Sequence, residues 1–125
     1  MKLLLDAHTL LWWLNNSPLL SPIAREAITN KNNLVLVSIA TIWEIHIKHG
    51  IGRLAIPDDF HQNLIRQEIK IVDIKLSHLA AYSKLELIHR DPFDRILIVQ
   101  AQVEDLTVVT RDRDIQKYRI SILKA

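Results

Sequence analysis

The sequence predicts a three-layer α/β/α sandwich around a mostly parallel central sheet. Three observations point to that class. Short apolar runs alternate with segments of helical spacing along the whole chain. The runs, such as Leu3-Leu4-Leu5 and Leu34-Val35-Leu36-Val37, lack polar alternation, as strands covered on both faces do. Apolar residues make up 49% of the 125 positions, enough for a core of ordinary domain size, and no linker, repeat or low-complexity segment divides them. A single domain over residues 1–125 is therefore expected.

Taken in order, Lys2 to Leu5 is the first strand. His8 to Leu14 has helical character and stops at Asn15-Asn16-Ser17-Pro18. Ser21-Pro22 supplies an N-cap and a proline at the first helical position, opening a helix that runs to about Asn30. Leu34 to Val37 is the second strand. Ser38 caps the following helix, which ends near Gly50 and Gly52. Pro57-Asp58-Asp59 starts another, with Phe60, Leu64 and Ile65 at helical spacing. Lys70 to Ile74 reads as a third strand, and Ser77 opens a short helix through Ser83. Asp91-Pro92 opens a longer helix to Val103. Leu106 to Val109 is the fourth strand and Ile120 to Leu123 the fifth.

Several function classes are excluded by composition. There is no cysteine, so disulfides and thiolate metal sites are out, and the cytoplasm is the simplest compartment. The longest uncharged apolar run, Leu34 to Trp43, is too short to span a bilayer. The start does not read as a secretory leader, because Asp6 interrupts its apolar stretch and Lys2 is its only basic residue. A net charge of +2 and a pI near 9.0 permit a polyanionic partner without demanding one. With two glycines in all, the chain holds no G-x-S-x-G, P-loop or dinucleotide-binding loop.

In parallel α/β sheets, ligands sit at the carboxyl ends of the strands, and acids accumulate there. Strand one ends at Asp6. Glu44 lies one and a half helical turns after strand two. Thr110-Arg111-Asp112-Arg113-Asp114 follows strand four, and the helix feeding that strand begins "HRDPFDR", with Asp91 and Asp94. Clustered carboxylates need a counter-charge, and hard divalent cations such as Mg²⁺ or Mn²⁺ prefer such oxygen ligands. Each acid also has a structural reading. Asp91 suits an N-cap, and Asp94 suits the helix dipole. Glu44 and Lys48 are spaced as an i, i+4 ion pair, while Asp112 and Asp114 could cap a final short helix.

Among the histidines, His46 and His49 lie i, i+3 on one helix, a spacing that could suit zinc but with no third ligand at a defined spacing. His8 and His89 lie beside the candidate acids.

Four stretches together, "LLLDAHTLLWWL", "VSIATIWEIHIKHGIGRL", "HRDPFDRILIVQAQ" and "LTVVTRDRDIQKY", resemble the PIN-domain family, most closely VapC-like toxins of bacterial toxin–antitoxin pairs. The likeness covers nearly the whole chain in the family's order and spacing. It implies the PIN-like α/β/α fold and a metal-dependent ribonuclease that cuts RNA to 5′-phosphate and 3′-hydroxyl ends. The family's four acids fall on Asp6, Glu44, Asp94 and Asp112. By the likeness, Asp6 and Asp94 hold Mg²⁺ or Mn²⁺, directly or through water. Glu44 and Asp112 complete the cluster, bind a second ion or orient the attacking water. Asp91 belongs to the "DPFD" signature, and Thr110 matches a hydroxyl residue that orients the acids. Lys48, Arg90, Arg95, Arg111 and Arg113 are candidate phosphate contacts, with ordinary solvated charges as the alternative.

The likeness further implies a cognate antitoxin that blocks the site with an inserted peptide, received near Trp12, Trp13 and Trp43 unless these belong to the core, and a homodimer. Three departures stand out: Ala7 where relatives carry a hydroxyl residue, Glu86 where they often have proline, and Ile88 where they often have histidine. The main rival is a catalytically silent PIN-like scaffold that binds RNA or a partner. A receiver-like signalling domain fits less well, because Asp6 stands alone after its strand and no lysine is suitably placed. A phosphatase acting on small molecules is a third.

Overall fold

A computed structural model describes residues 1–125. Five strands form one sheet: β1 (Lys2–Leu5), β2 (Leu34–Ser38), β3 (Lys70–Val72), β4 (Thr107–Thr110) and β5 (Ser121–Lys124). Their order is β3-β2-β1-β4-β5, and every pair is parallel. Six helices connect and cover them: α1 (Ala7–Leu14), α2 (Pro22–Thr29), α3 (Ile39–Gly50), α4 (Phe60–Arg66), α5 (Leu76–Tyr82) and α6 (Pro92–Glu104). A 3₁₀ turn spans Ile115–Lys117.

The apolar runs become central strands for the expected reason. Leu3, Leu4 and Leu5 are fully buried, and successive side chains point to opposite faces. Leu3 and Leu5 join Leu10, Ala24, Ile28, Ile42, Ile45, Phe60 and Leu64 from α1 to α4. Leu4 and Val108 pack instead against Leu97, Ile98 and Ala101 of α6. Two helical layers thus sandwich the sheet, and Ala40 of α3 meets Ile96 and Val99 of α6 across its end.

Caps set most helix starts as the sequence indicates. The Ser21 and Ser38 hydroxyls accept from the N–H groups of Ala24 and Ala40, both at 3.1 Å. Beyond α3, Gly52 adopts φ +77°, a left-handed conformation that glycine tolerates at little cost. β4 and β5 each lie one residue later than expected, β2 runs one residue further, to Ser38, and three other boundaries differ for reasons the structure shows. β3 stops at Val72 rather than Ile74, because its only neighbour, β2, ends at Ser38 and leaves no ladder partner beyond Val72. α5 starts at Leu76 rather than Ser77: the ring of His78 accepts the Lys75 N–H through Nδ1 at 2.9 Å, so His78 organises the first turn. α1 starts at Ala7, with Asp6 itself as the N-cap.

The sheet order reverses at β1, whose chain leads to β2 on one side while β4 returns on the other. The carboxyl ends of β1 and β4 therefore flank the switch point of the sheet, where parallel α/β folds open a crevice. No helix is long and apolar enough to cross a membrane.

Candidate active site

Asp6 leaves the end of β1 and is buried, with 7% of its surface exposed. Both carboxylate oxygens are held. Oδ1 accepts the Thr9 N–H at 3.0 Å and Oδ2 accepts the Thr110 hydroxyl at 2.5 Å. The Thr9 hydroxyl donates to the Val109 carbonyl at 2.9 Å, tying the first turn of α1 to β4. Thr110 Oγ1 also accepts the Asp112 N–H at 3.0 Å, so one hydroxyl links two candidate acids.

Glu44 is equally buried and meets Lys48 Nζ at 2.9 Å on the next turn of α3. The helix pair and the site reading of Glu44 coincide in one geometry. Asp91 caps α6 through Oδ1, which accepts the N–H groups of Phe93 and Asp94 at 2.8 and 3.3 Å. Asp94, on the first turn of α6, has its carboxyl pushed up to about 7. Burial is the main cause, with the charges of Asp91, Glu44 and Asp6 adding to it and His89 opposing. Asp112 uses Oδ1 to accept from the N–H groups of Asp114 and Ile115, at 2.8 and 2.9 Å, leaving Oδ2 to face His89.

These acids meet in one open cavity of about 420 Å³. Asp6, Glu44, Asp91, Asp94 and Asp112 line its acidic side. Lys48, Arg111, His8 and His89 supply the basic groups, and Ala7 and Trp12 complete the wall.

The five basic candidates separate. Lys48 and Arg111 line the cavity. The guanidinium of Arg111 lies 4.5 Å from the Trp12 ring centre and donates to the carbonyls of Leu19 and Ala125. Arg90 and Arg113 are exposed and do not line it. Arg95 corrects the sequence expectation. It is 7% exposed, and its guanidinium donates to the carbonyls of Leu85, Glu86 and His89 at 3.3, 3.1 and 3.1 Å and lies over the Tyr82 ring. It is spent on holding the chain before α6 and presents nothing to a phosphate. The Tyr118 hydroxyl works on the same segment, accepting from the N–H groups of Ile88 and His89 and donating to the Glu86 carbonyl at 2.6 Å.

His89 is the residue whose role the sequence understates. Its Nε2 lies 3.0 Å from Asp94 and 3.3 Å from Asp112. Its Nδ1 accepts the Asp91 N–H at 3.1 Å, so the neutral ring carries its proton on Nε2 and donates it towards the two acids. Its place just before the "DPFD" stretch was the only available signal. The tightest trio of ligand-type atoms, within 4.8 Å of one another, is His89, Asp112 and Asp114. That trio suits a cation poorly, because Asp114 is paired with Lys117 at 3.0 Å and Oδ1 of Asp112 is taken up by two backbone N–H groups. A hard divalent ion favours all-oxygen ligands, the chemistry that Asp6, Glu44, Asp94 and Asp112 offer, and the Asp94 carboxyl is raised mainly by its burial, with its acidic neighbours adding.

The family model for the PIN domain matches residues 3–120. The chain belongs to the PIN-domain family. No curated protein sequence matches it. In fold, this PIN domain is similar to the crystal structure of VapBC2 from Rickettsia felis bound to a DNA fragment from their promoter. The TM-score is 0.73 at 16% identity, covering 99% of this chain and 98% of the other. The DNA-bound VapBC from Salmonella typhimurium gives 0.69 at 19% identity, over 99% and 98%. FitAB bound to an IR36 DNA fragment gives 0.61 at 15% identity, over 98% and 94%. These likenesses establish a shared fold.

Proposed function

We propose that residues 1–125 act as one PIN domain with metal-dependent endoribonuclease activity, the toxin of a toxin–antitoxin pair working in the cytoplasm. The observation that carries this reading is the convergence of Asp6, Glu44, Asp94 and Asp112 on one cavity, with the Asp94 carboxyl raised to about 7 by burial and, secondarily, by its acidic neighbours. Asp6 and Asp94 would hold Mg²⁺ or Mn²⁺, and Glu44 and Asp112 would complete the set or take a second ion. When bound, such an ion activates water and neutralises charge on a phosphoryl group undergoing in-line displacement.

The chain's own residues supply the rest. Thr110 and the Thr9 N–H fix both oxygens of Asp6 before any ligand arrives, which limits reorganisation on binding. His89 bridges Asp94 and Asp112 through Nε2 and so steadies both. Lys48 and Arg111 are the cations placed to meet RNA phosphates, with Arg90 and Arg113 on the surrounding surface. The expected products carry a 5′-phosphate and a 3′-hydroxyl.

The toxin assignment rests on likeness to VapBC assemblies, and it brings two partners. One is an antitoxin whose peptide lies over the cavity near Trp12 and the 60%-exposed Trp43. The other is a second copy of the chain in a homodimer. Trp13 does not line this cavity but a separate one with Ile28, Leu34 and Ile69, which removes it from the peptide's path.

The deciding experiment is cleavage of total RNA by purified protein with Mg²⁺ or Mn²⁺, with EDTA, and by Asp6→Asn and Asp94→Asn. Metal-dependent cutting by the wild type, lost in both variants with the fold intact, is expected. Undiminished cutting by the double variant would remove the assignment. The silent-scaffold reading has one observation in its favour: Lys48 and His89 already partner three of the acids. RNA binding without cleavage at any metal concentration would select it.

A further inference from the structure

A second cluster of ligating side chains lies outside the acid cavity. His46 on α3 and His61 on α4 face each other with their Nε2 atoms 2.8 Å apart. Two residues along a helix turn a side chain by about 200°, so His46 projects away from Glu44 and the cavity it lines. The two rings meet nearly at right angles, with centres 5.0 Å apart. The His46 ring also stands edge-on to Phe60, which is buried at the base of the pair. Both histidines are exposed, and neither Nδ1 is engaged by the protein.

We propose that His46 and His61 form a separate metal site, a bis-imidazole seat for a borderline divalent cation of the Zn²⁺, Ni²⁺ or Cu²⁺ type, which joins α3 to α4. In the neutral pair one ring donates its Nε2 proton to the other's Nε2, 2.8 Å away, and a cation displaces that proton, which passes through water to the same ring's free Nδ1. Each ring then keeps its own proton on the free Nδ1. Zinc–nitrogen bonds of about 2.0–2.1 Å in a tetrahedral shell set the two nitrogens about 3.3 Å apart. The rings need open only slightly from 2.8 Å, and both are solvent-facing and able to move. Imidazole nitrogen favours this class of ion, whereas the carboxylates of the main cavity favour Mg²⁺ or Mn²⁺, so the two sites fill independently. With two protein ligands, water completes the shell, and the ion exchanges more readily than in a four-ligand structural site. Its effect is mechanical: it pins α4 and the 51–59 segment to the helix that carries Glu44.

Titration of the full-length protein with Zn²⁺ by calorimetry, in excess Mg²⁺, tests this. The wild type is expected to bind one Zn²⁺ that His46→Gln and His61→Gln each abolish, while His49→Gln and His89→Gln retain it. Zn²⁺ should also raise the thermal midpoint of the wild type and of neither pair variant. Circular dichroism of each variant without metal verifies that the fold persists. Equal Zn²⁺ binding by wild type and both pair variants would overturn the site, as would absence of binding in the wild type. Neither result bears on RNA cleavage, which Asp6→Asn addresses separately.

Discussion

Thr110 serves two acids with one hydroxyl, donating to Asp6 Oδ2 and accepting the Asp112 N–H. Replacing it by valine keeps the shape and leaves a buried carboxylate oxygen and a backbone donor without partners. Thr110→Val is expected to lower stability by about 1–3 kcal/mol and to weaken metal-dependent cleavage, and Thr110→Ser should restore both. Denaturant unfolding and a metal-activation curve measure the two effects. The sequence pointed to this position through its resemblance to the PIN-domain family, whose acid-orienting hydroxyl residue falls on Thr110. Arg95 was not legible. It sits beside Asp94 among cations, and only the wrapping of residues 85–89 around it turns its guanidinium inward. That packing is tertiary and leaves no local signal. The His46–His61 contact escaped for the same reason: it depends on how α4 lies across α3, and not on spacing within either helix.

At the scale of elements, the segment before α6 is the least regular part of the site and the most heavily tied. Tyr118 and Arg95 between them make six hydrogen bonds to five backbone groups of residues 85–89. Those contacts fix where His89 stands relative to Asp94 and Asp112. Tyr118→Phe removes a single oxygen that makes three of them. It is expected to cost about 1–3 kcal/mol and to reduce cleavage while leaving the far-ultraviolet spectrum unchanged. Unaltered activity with the stability loss present would show that His89 holds its place without the tether. The strands themselves were readable because unbroken apolar runs have few other uses in a small α/β chain. The end of β3 was not, since it is set by the length of β2 rather than by its own residues.

For the whole molecule, the burial of the Asp94 carboxyl among other acids makes stability fall with rising pH. The Asp94 carboxyl ionises at about 7 in the folded chain and near 3.8 when unfolded, so between these values the native state holds the extra proton. The contribution of this group is complete below the unfolded value and is lost as pH rises through 7. Without divalent metal, stability should fall between about pH 5 and pH 8 by roughly 1–3 kcal/mol relative to Asp94→Asn, which lacks the proton-linked step. Saturating Mg²⁺ or Mn²⁺ takes the proton's place and should flatten that decline. Thermal midpoints of both proteins at several pH values, with and without metal, provide the check. A wild type that tracks Asp94→Asn throughout would show that the carboxyl is not raised.

The bond between Thr110 and Asp6 joins residues 104 positions apart. Asp6 leaves the ribosome well before its partner, which is made 104 positions later. At the usual pace of synthesis the interval is roughly 5–20 seconds. Throughout it, β1 has no β4 beside it, the Asp6 carboxylate lacks its hydroxyl, and Asp94 and Asp112 have no fixed relation to it. Under the proposed function, a growing or truncated chain is harmless, and the capacity to cut RNA arrives in one late step. A protein dangerous to the cell that makes it would then gain its chemistry only when it is ready to meet its inhibitor.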